Sequence, residues 1–351
     1  MKDTVGAGDS SSEGTHSATS NPTVSVLIGV YNEEQYIEAS LQSLLDQTFD
    51  DFEIIVVDDC STDSSVEIVQ SFDDPRIRLV ENETNLGLTK SLNRALDAAE
   101  GRYVARQDAD DLSHPSRLER EVAYLESHEE VALVGTGAYL IDGDGLIQQK
   151  RTVLESVSFD DLVEKNHIIH GTILARKDVF ESVGRYDDLF RYSQDLDMWL
   201  RIAEDHKIRN IPEPLYYFRI HDESVYFSSK EKSMLYAQLA LARATDGVTD
   251  EVLRDIHQNG IDVYYKHLTD EQQQTFHESL AERYLRYGHL EEAREQCRRA
   301  FEPDGWSTKA RLLHLLSYLG QTPTNVVHET VRRVTNAKIQ LRNRVDSSPD
   351  D

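Results

Sequence analysis

The sequence predicts an α/β protein in which a mostly parallel sheet is followed by an all-helical C-terminal region. Short β-branched runs alternate with helical patterns over the first part of the chain, which is typical of βαβ units. The runs at 24–30 and 53–57 are apolar throughout, as expected for strands that are covered on both faces. After about Ser228 only helical spacing is found.

The spacing of apolar residues places the individual elements. We predict strands over 24–30, 53–57, 76–80, 102–106 and 131–136. Helical spacing between them predicts helices that begin near residues 37, 65 and 88. Asn32 is expected to cap the first helix, with Gln35 reaching back. The sequence Asp-Gly-Asp-Gly at 142–145 predicts a hairpin turn.

Composition divides the chain into four parts. Residues 1–21 are rich in Ser, Thr, Gly and Asp and contain no apolar run, so we expect a disordered tail rather than a signal peptide. An α/β domain is expected over 22–227, a helical region over 228–346 and a disordered tail over 347–351. Residues 284–301 resemble a single tetratricopeptide-type unit, although such units need several copies to form a solenoid.

Charge and cysteine content narrow the choice of partners and compartment. The 64 acidic and 37 basic residues give a formal net charge of -27, a field that repels DNA and RNA. Dispersed acid with more arginine than lysine resembles proteins of salt-loving organisms. The 2 cysteines are far apart and predict neither a disulfide framework nor a zinc site, so we expect a cytoplasmic protein. No run of 18 apolar residues predicts a membrane span.

Acidic clusters follow the second and fourth predicted strands. Asp58 to Asp63 come after the second strand, and Asp108, Asp110 and Asp111 after the fourth. Ligands bind outside the carboxyl ends of parallel strands, and paired carboxylates there suit Mg²⁺ or Mn²⁺ shared with phosphates. The alternatives are that the first cluster caps the next helix and that the second is a solvated turn.

Two further segments carry candidate groups. Asp195 lies near the start of a helical pattern, where it suits a general base or, alternatively, a residue that stabilises the first turn. Arg219 and His221 end a predicted strand, so that Arg219 is a candidate for phosphate and His221 for a metal or a surface position. Gly-x-Gly-x-x-Gly, the Walker phosphate loop and His-Glu-x-x-His are all absent from the sequence.

Taken in order, these segments resemble glycosyltransferase family 2 with its GT-A fold. The similarity runs from about Thr23 to Ser224 and is carried by VSVLIGVYNEEQYIEASLQSLLDQTFDDFEIIVVDDCSTDSS, NLGLTKSLNRALDAAEGRYVARQDADDLSHPSRLERE and FRYSQDLDMWLRIAE. The resemblance implies an enzyme that moves a sugar from a nucleotide-sugar donor to a hydroxyl of a glycan or lipid-linked acceptor.

The resemblance also implies the roles of single residues on the donor side. Tyr31 matches the position that stacks on the base, and Asp59 matches the acid that contacts the nucleobase. Asp108 and Asp110 match the family's Asp-x-Asp, with Asp108 near the ribose and Asp110 on the Mn²⁺ or Mg²⁺ cofactor.

On the acceptor side, Asp195 matches the general base of a single displacement that inverts the sugar carbon. Gln194 stands where the family usually has Glu. Arg219 and His221 resemble the closing segment around the diphosphate and its metal.

Two other functions compete with this interpretation: a nucleotidyltransferase and a non-catalytic interaction protein. The last helix, predicted over 325–345, has an apolar side and carries Arg332, Arg333 and Arg344 opposite. It is expected either to contact the cytoplasmic face of a membrane peripherally or to pack on the α/β domain. The sequence predicts neither the oligomeric state nor the sugar, the base or the acceptor.

Overall fold

The structure, a computed structural model, describes residues 21–220, 230–286, 288–300 and 307–319 together with residues 339 and 343. Its described strands form one mixed sheet. They are β1 Val24–Val30, β2 Phe52–Asp58, β3 Ile77–Glu81, β4 Tyr103–Arg106, β5 Leu112–Ser113, β6 Val131–Ile141, β7 Ile147–Arg151, β8 Ser156–Val157, β9 Leu174–Arg176 and β10 Lys207–Arg219.

The longest ladders of the sheet are parallel. The strand order is β3-β2-β1-β4-β9-β6-β10-β5, with β7 beside β6 and β8 beside β10. β1 pairs in parallel with β2 and β4, β2 with β3, and β6 with β10. Only the short β9, antiparallel to both neighbours, separates β4 from β6. The strands β1, β2, β4 and β10 therefore all end at one edge of the sheet.

Helices cover both faces of the sheet. Up to residue 220 they are α1 Ile37–Leu45, α2 Ser65–Gln70, α3 Leu88–Ala98, α4 Arg117–Ser127, α5 Phe159–Glu164, α6 Lys177–Val183 and α7 Gln194–Asp205. Val26 and Ile28 of β1 pack in one buried cluster with Leu41 of α1. Leu27 between them packs in the other cluster with Leu92 of α3. Burial on both faces explains why these strands are apolar without alternation.

The described C-terminal region is helical, as predicted. It contains α8 Lys230–Thr245, α9 Asp250–Asn259, a 3₁₀ helix Ile261–His267, α10 Asp270–Arg286, α11 Leu290–Arg299 and α12 Thr308–Leu319. Leu235 and Leu239 of α8 extend the core of the α/β domain. Helices α10 to α12 share a smaller core of their own. The similarity of α10 and α11 to a tetratricopeptide-type unit stays a prediction.

Several predicted segments fall wholly or largely outside the described residues. These are both tails, the boundary at 227–228 and most of the helix at 325–345. Two residues of that helix are described: Ile339 is buried in the main core, and Asn343 donates to the Val153 carbonyl at 3.0 Å and accepts from the Glu155 N–H at 2.8 Å. These contacts favour packing on the α/β domain. Among the described helices, none has the length and apolar character that crossing a bilayer requires.

The elements confirm most predictions and correct two. The hairpin turn is confirmed, with Gly145 at φ 85° and its N–H donating to the Asp142 carbonyl at 2.9 Å. β6 runs to Ile141, well past the predicted end at 136, because its second half pairs with β7 and β10. The cap predicted at Asn32 is wrong: α1 follows Tyr36, and Asn32 adopts φ 57°. Asn tolerates the left-handed region as well as a cap.

Candidate active site

The polar residues that follow β1, β2, β4 and β10 lie at one edge of the sheet, where parallel strands end. The loops after β1 and β2 are joined directly. The side-chain oxygen of Asn32 accepts the Thr62 N–H at 2.8 Å, and Asp63 accepts the Glu34 N–H at 3.0 Å. Next to this junction Tyr31 is 47% exposed. A large aromatic ring with that exposure beside the acidic edge suits contact with a ligand.

Asp59 is buried and organises the loop after β3. Its Oδ1 accepts from the Asn82 side chain at 2.6 Å and from the Leu86 N–H at 2.8 Å, and its Oδ2 accepts from the Gly87 N–H at 2.8 Å. A carboxylate has about four lone-pair sites. Asp59 therefore holds the turn before α3 and has room for about one further donor. Asp63, which precedes the N-cap Ser64 of α2, accepts from the Ser65 N–H at 3.0 Å.

The turn after β4 concentrates negative charge. Burial raises the pKa of Asp108, and Asp110 adds to the rise. Burial together with Asp110 and Asp108 raises the pKa of Asp111 well above its usual value. Oδ1 of Asp111 accepts the Arg219 N–H at 2.6 Å, and hydrogen bonding to Arg219 and to the Tyr216 side chain opposes the rise in the pKa of Asp111. The predicted Asp108 and Asp110 are thus joined by a third carboxylate.

Two residues missed at the sequence level hold Asp108. Nη2 of Arg106, on β4, lies 2.5 Å from Oδ1 of Asp108. The Tyr216 hydroxyl, on β10, accepts the Asp108 N–H at 3.0 Å. The path of the chain next to them requires a glycine, because a Cβ on Gly171 would lie 2.3 Å from the Tyr216 hydroxyl and 3.0 Å from Oδ2 of Asp108. A glycine in a short 3₁₀ turn, here His170–Thr172, gives no sequence signal for such a contact.

Arg219 is engaged mainly by the protein itself. It is 5% exposed, and its guanidinium lies over the Tyr36 ring at 4.6 Å. Nε donates to the Asp110 carbonyl at 2.7 Å, and Nη1 donates to the carbonyls of Asp142 at 3.1 Å and Gly143 at 2.8 Å. Arg219 therefore ties the acidic turn to the hairpin at 142–145. Three of its five N–H donors are committed there, so a phosphate contact is limited to the other amino group.

Asp195 lies in the first turn of α7, as predicted, and comes close to the acidic turn. Its carboxylate accepts from the Asn166 side chain at 2.9 Å. Burial raises the pKa of Asp195 and the charge of Asp108 adds to the rise, although the Leu196 N–H and Asn166 oppose it. The site thus contains two acids more than 80 residues apart in sequence that interact electrostatically.

A neutral histidine lies beside these acids. Nε2 of His170 is 2.8 Å from the Tyr186 hydroxyl, and its ring meets Trp199 edge-on at 5.8 Å. Burial, with Arg106 adding to it, lowers the pKa of His170 well below its usual value. The imidazole is therefore uncharged near neutral pH and offers hydrogen bonds rather than charge. His221, the other predicted histidine, lies outside the described residues.

The donor set of the acidic turn fits a divalent cation that is shared with a phosphate ligand. Within the described residues, no three His, Cys, Asp or Glu side chains form a metal cage. Mg²⁺ is usually held by one or two carboxylates plus substrate phosphates and water, so it does not need a complete cage of protein ligands. The repulsion between the partly exposed carboxylate of Asp108 and the buried carboxylate of Asp111 would be relieved by a cation.

The sequence of this chain is similar to those of known glycosyltransferases. The model of the family described as Glycosyl transferase family 2 matches residues 25–184. The putative glycosyltransferase EpsE of Bacillus subtilis is 37% identical over 225 residues, which cover 62% of this chain and 79% of that protein. The uncharacterized glycosyltransferase MJ1057 of Methanocaldococcus jannaschii is 35% identical over 229 residues, which cover 63% of this chain and 78% of that protein.

A solved structure shares the fold over most of the chain. Residues 1–349 of S. aureus TarS, in complex with UDP-GlcNAc, match with a TM-score of 0.54 at 20% identity, covering 89% of this chain and 92% of that one. The same protein in complex with UDP gives a TM-score of 0.52. At this identity the likeness concerns the fold alone.

The fold and these matches define an enzyme, a glycosyltransferase with the GT-A fold. More particularly, the chain belongs to glycosyl transferase family 2.

Proposed function

We propose that this enzyme transfers a sugar from a nucleoside diphosphate sugar to a hydroxyl of a glycan or lipid-linked acceptor, with Mn²⁺ or Mg²⁺ and with inversion. One observation carries the proposal: the acidic turn after β4 and Asp195 of α7 are close enough for the charge of Asp108 to raise the pKa of Asp195. Donor binding and proton removal act at one sugar carbon, so the acids that perform them must lie close together.

For the donor, we propose that the base lies on Tyr31 and that Asp108 contacts the ribose. We assign Asp59 to the edge of the base, and its bonds to the loop at 82–87 support a second role in holding that loop. UDP-sugars are the first donors to test, because TarS, which shares the fold, has been solved with UDP and UDP-GlcNAc.

At the diphosphate, we propose that Asp110 holds the cation, with His221 as a second ligand and Arg219 bracing the turn. When bound, a divalent cation offsets the charge that develops on the departing nucleoside diphosphate. The protein keeps the acidic turn in place for this cation, and the hydrogen bond from Arg219 to the Asp110 carbonyl at 2.7 Å supports that role.

For the acceptor, we propose that Asp195 removes the proton of the attacking hydroxyl. Its raised pKa supports this, since a more basic carboxylate is a better proton acceptor. Asn166 restrains one carboxylate oxygen through its bond at 2.9 Å. The proton passes to the carboxylate as the new bond to the sugar forms, and the bond to the diphosphate breaks on the opposite face.

The proposal is tested by nucleoside diphosphate release from a panel of nucleotide-sugars with Mn²⁺. Asp195→Asn keeps the shape and removes the base, so release should fall roughly 100- to 10,000-fold while donor binding stays near normal. Asp205→Asn, on the exposed end of the same helix, is the matched control. Wild-type turnover by Asp195→Asn would overturn the base assignment, and release of pyrophosphate from a nucleoside triphosphate and a sugar 1-phosphate would instead indicate a nucleotidyltransferase.

A further inference from the structure

Arg106 is a buried cation that the proposed chemistry does not use. It is the last residue of β4, its side chain is 2% exposed, and it lies two residues before Asp108. Its Nη2 bonds the Asp108 carboxylate at 2.5 Å. Its Nε and Nη1 are buried and have no hydrogen-bond partner within the described residues.

An arginine in this position is costly for stability. Arginine is almost never fully buried unless it is paired, and each buried donor without a partner loses its bonds to water. A well-packed apolar side chain of similar volume would often serve the fold as well or better. The arrangement is therefore better explained by what Arg106 does to Asp108 than by a contribution to folding.

The surroundings of Arg106 restrain Asp108 from two sides. The Tyr216 hydroxyl accepts the Asp108 N–H at 3.0 Å, so the main chain is held from β10 while the carboxylate is held from β4. Arg117 in turn holds the end of β4, because its Nη1 donates to the Arg106 carbonyl at 3.2 Å. The charge of Asp110 repels the Asp108 carboxylate, and Arg106 opposes that repulsion.

We infer that Arg106 is a positioning residue for sugar transfer: its ion pair holds the Asp108 carboxylate in the orientation that binds the nucleotide-sugar. This inference rests on the donor role proposed for Asp108. The planar guanidinium suits the task, since it directs its donors in a fixed geometry, whereas a lysine ammonium is a flexible point charge.

The test measures donor KM and kcat separately in Arg106 variants. Arg106→Met keeps the size and removes the charge, and donor KM should rise roughly 10- to 100-fold, as for the loss of a charge-assisted hydrogen bond. The change in kcat should be smaller. Arg106→Lys should lie in between, with a KM roughly 3- to 10-fold above wild type. Arg185→Met, which removes an arginine paired with Asp97 on the partly exposed surface, is the matched control and should keep the wild-type KM.

A double-mutant cycle with Asp108→Asn separates positioning from mere structure. Asp108→Asn alone should raise donor KM, and adding Arg106→Met should raise it no further. Additive effects, or a wild-type KM with kcat lowered only in proportion to the folded fraction, would overturn the inference. If Asp108→Asn itself leaves donor KM unchanged, the donor role of Asp108 is wrong and the inference falls with it, whereas a raised KM in Asp108→Asn with a wild-type KM in Arg106→Met overturns the inference alone. Should Arg106→Met not fold, Arg106→Lys takes its place in the cycle, and an unchanged KM there is equally decisive.

Discussion

The buried side chains of Arg117 and Glu121 in α4 offer a sharp test of the electrostatics next to the active site. Both side chains are 0% exposed, and Nε and Oε2 are 3.6 Å apart, too far for a hydrogen bond. Neither carboxylate oxygen of Glu121 has a hydrogen-bond partner in the described part of the chain. Burial raises the pKa of Glu121 to about 8, against the opposing effect of Arg117. Glu121 is therefore expected to be protonated at neutral pH.

The raised pKa makes Glu121 a source of pH-dependent instability. Its ordinary pKa is 4.5, so the unfolded chain releases the proton well before the folded chain does. The free energy of unfolding is not reduced by Glu121 below about pH 4.5, and it falls as the pH rises from there to about 8. At about 1.4 kcal/mol per pH unit, the raised pKa of Glu121 lowers the free energy of unfolding by about 3 kcal/mol at pH 7.

Glu121→Gln removes this titration and keeps the shape. Its stability relative to wild type should rise by about 3–4 kcal/mol between pH 5 and pH 8, as measured by urea unfolding. Glu119→Gln, exposed on the same helix, should leave the pH dependence unchanged. The reasoning is refuted if Glu121→Gln destabilises the protein by about 3–5 kcal/mol at every pH, which is what breaking an ionised buried pair costs.

Three further predictions concern packing, docking and salt. Gly171→Ala places a Cβ 2.3 Å from the Tyr216 hydroxyl, so it should destabilise the fold by about 1–3 kcal/mol and weaken donor binding. Gly143→Ala, whose Cβ would have its nearest atom at 3.5 Å, should do neither. Thermal unfolding and donor titration of the two variants check this. Asn343→Ala loses the bonds to the main chain at 153 and 155 and should cost about 1–3 kcal/mol in urea unfolding, whereas no loss would mean that these bonds do not anchor the segment. The net charge of -27 predicts a melting temperature that rises by several degrees between low and molar KCl, and a flat profile would contradict a halophilic character.

Much of the fold and the edge of the site follows from local sequence patterns. A strand that is buried on both faces must be apolar throughout, so β1 and β2 are visible as continuous runs. The acids after β2 and β4 stand out because they interrupt those runs, and parallel strands bring them to the same edge. Asp195 could be placed near the start of a helix because apolar spacing begins beside it.

What the sequence could not predict depends on partners that are distant along the chain. From the sequence alone, Arg106 is an ordinary residue at the end of a strand. Only the structure shows that its side chain is buried and paired with Asp108. Tyr216 reaches the Asp108 N–H only because β10 and β5 bring it beside the acidic turn. Asn32 has two local preferences, a cap and a left-handed turn, and its bond to the Thr62 N–H selects the turn.

The central claim is that the acidic turn binds a nucleoside diphosphate together with a divalent cation. Calorimetric titration of UDP into the protein, with and without Mn²⁺, tests it most directly. Mn²⁺ should tighten UDP binding by at least about tenfold, or about 1.4 kcal/mol, in wild type and in Asp144→Ala, which removes an exposed acid of the nearby hairpin. The gain should vanish in Asp110→Ala. Equal UDP affinity with and without Mn²⁺, or a gain that persists in Asp110→Ala, would contradict the account.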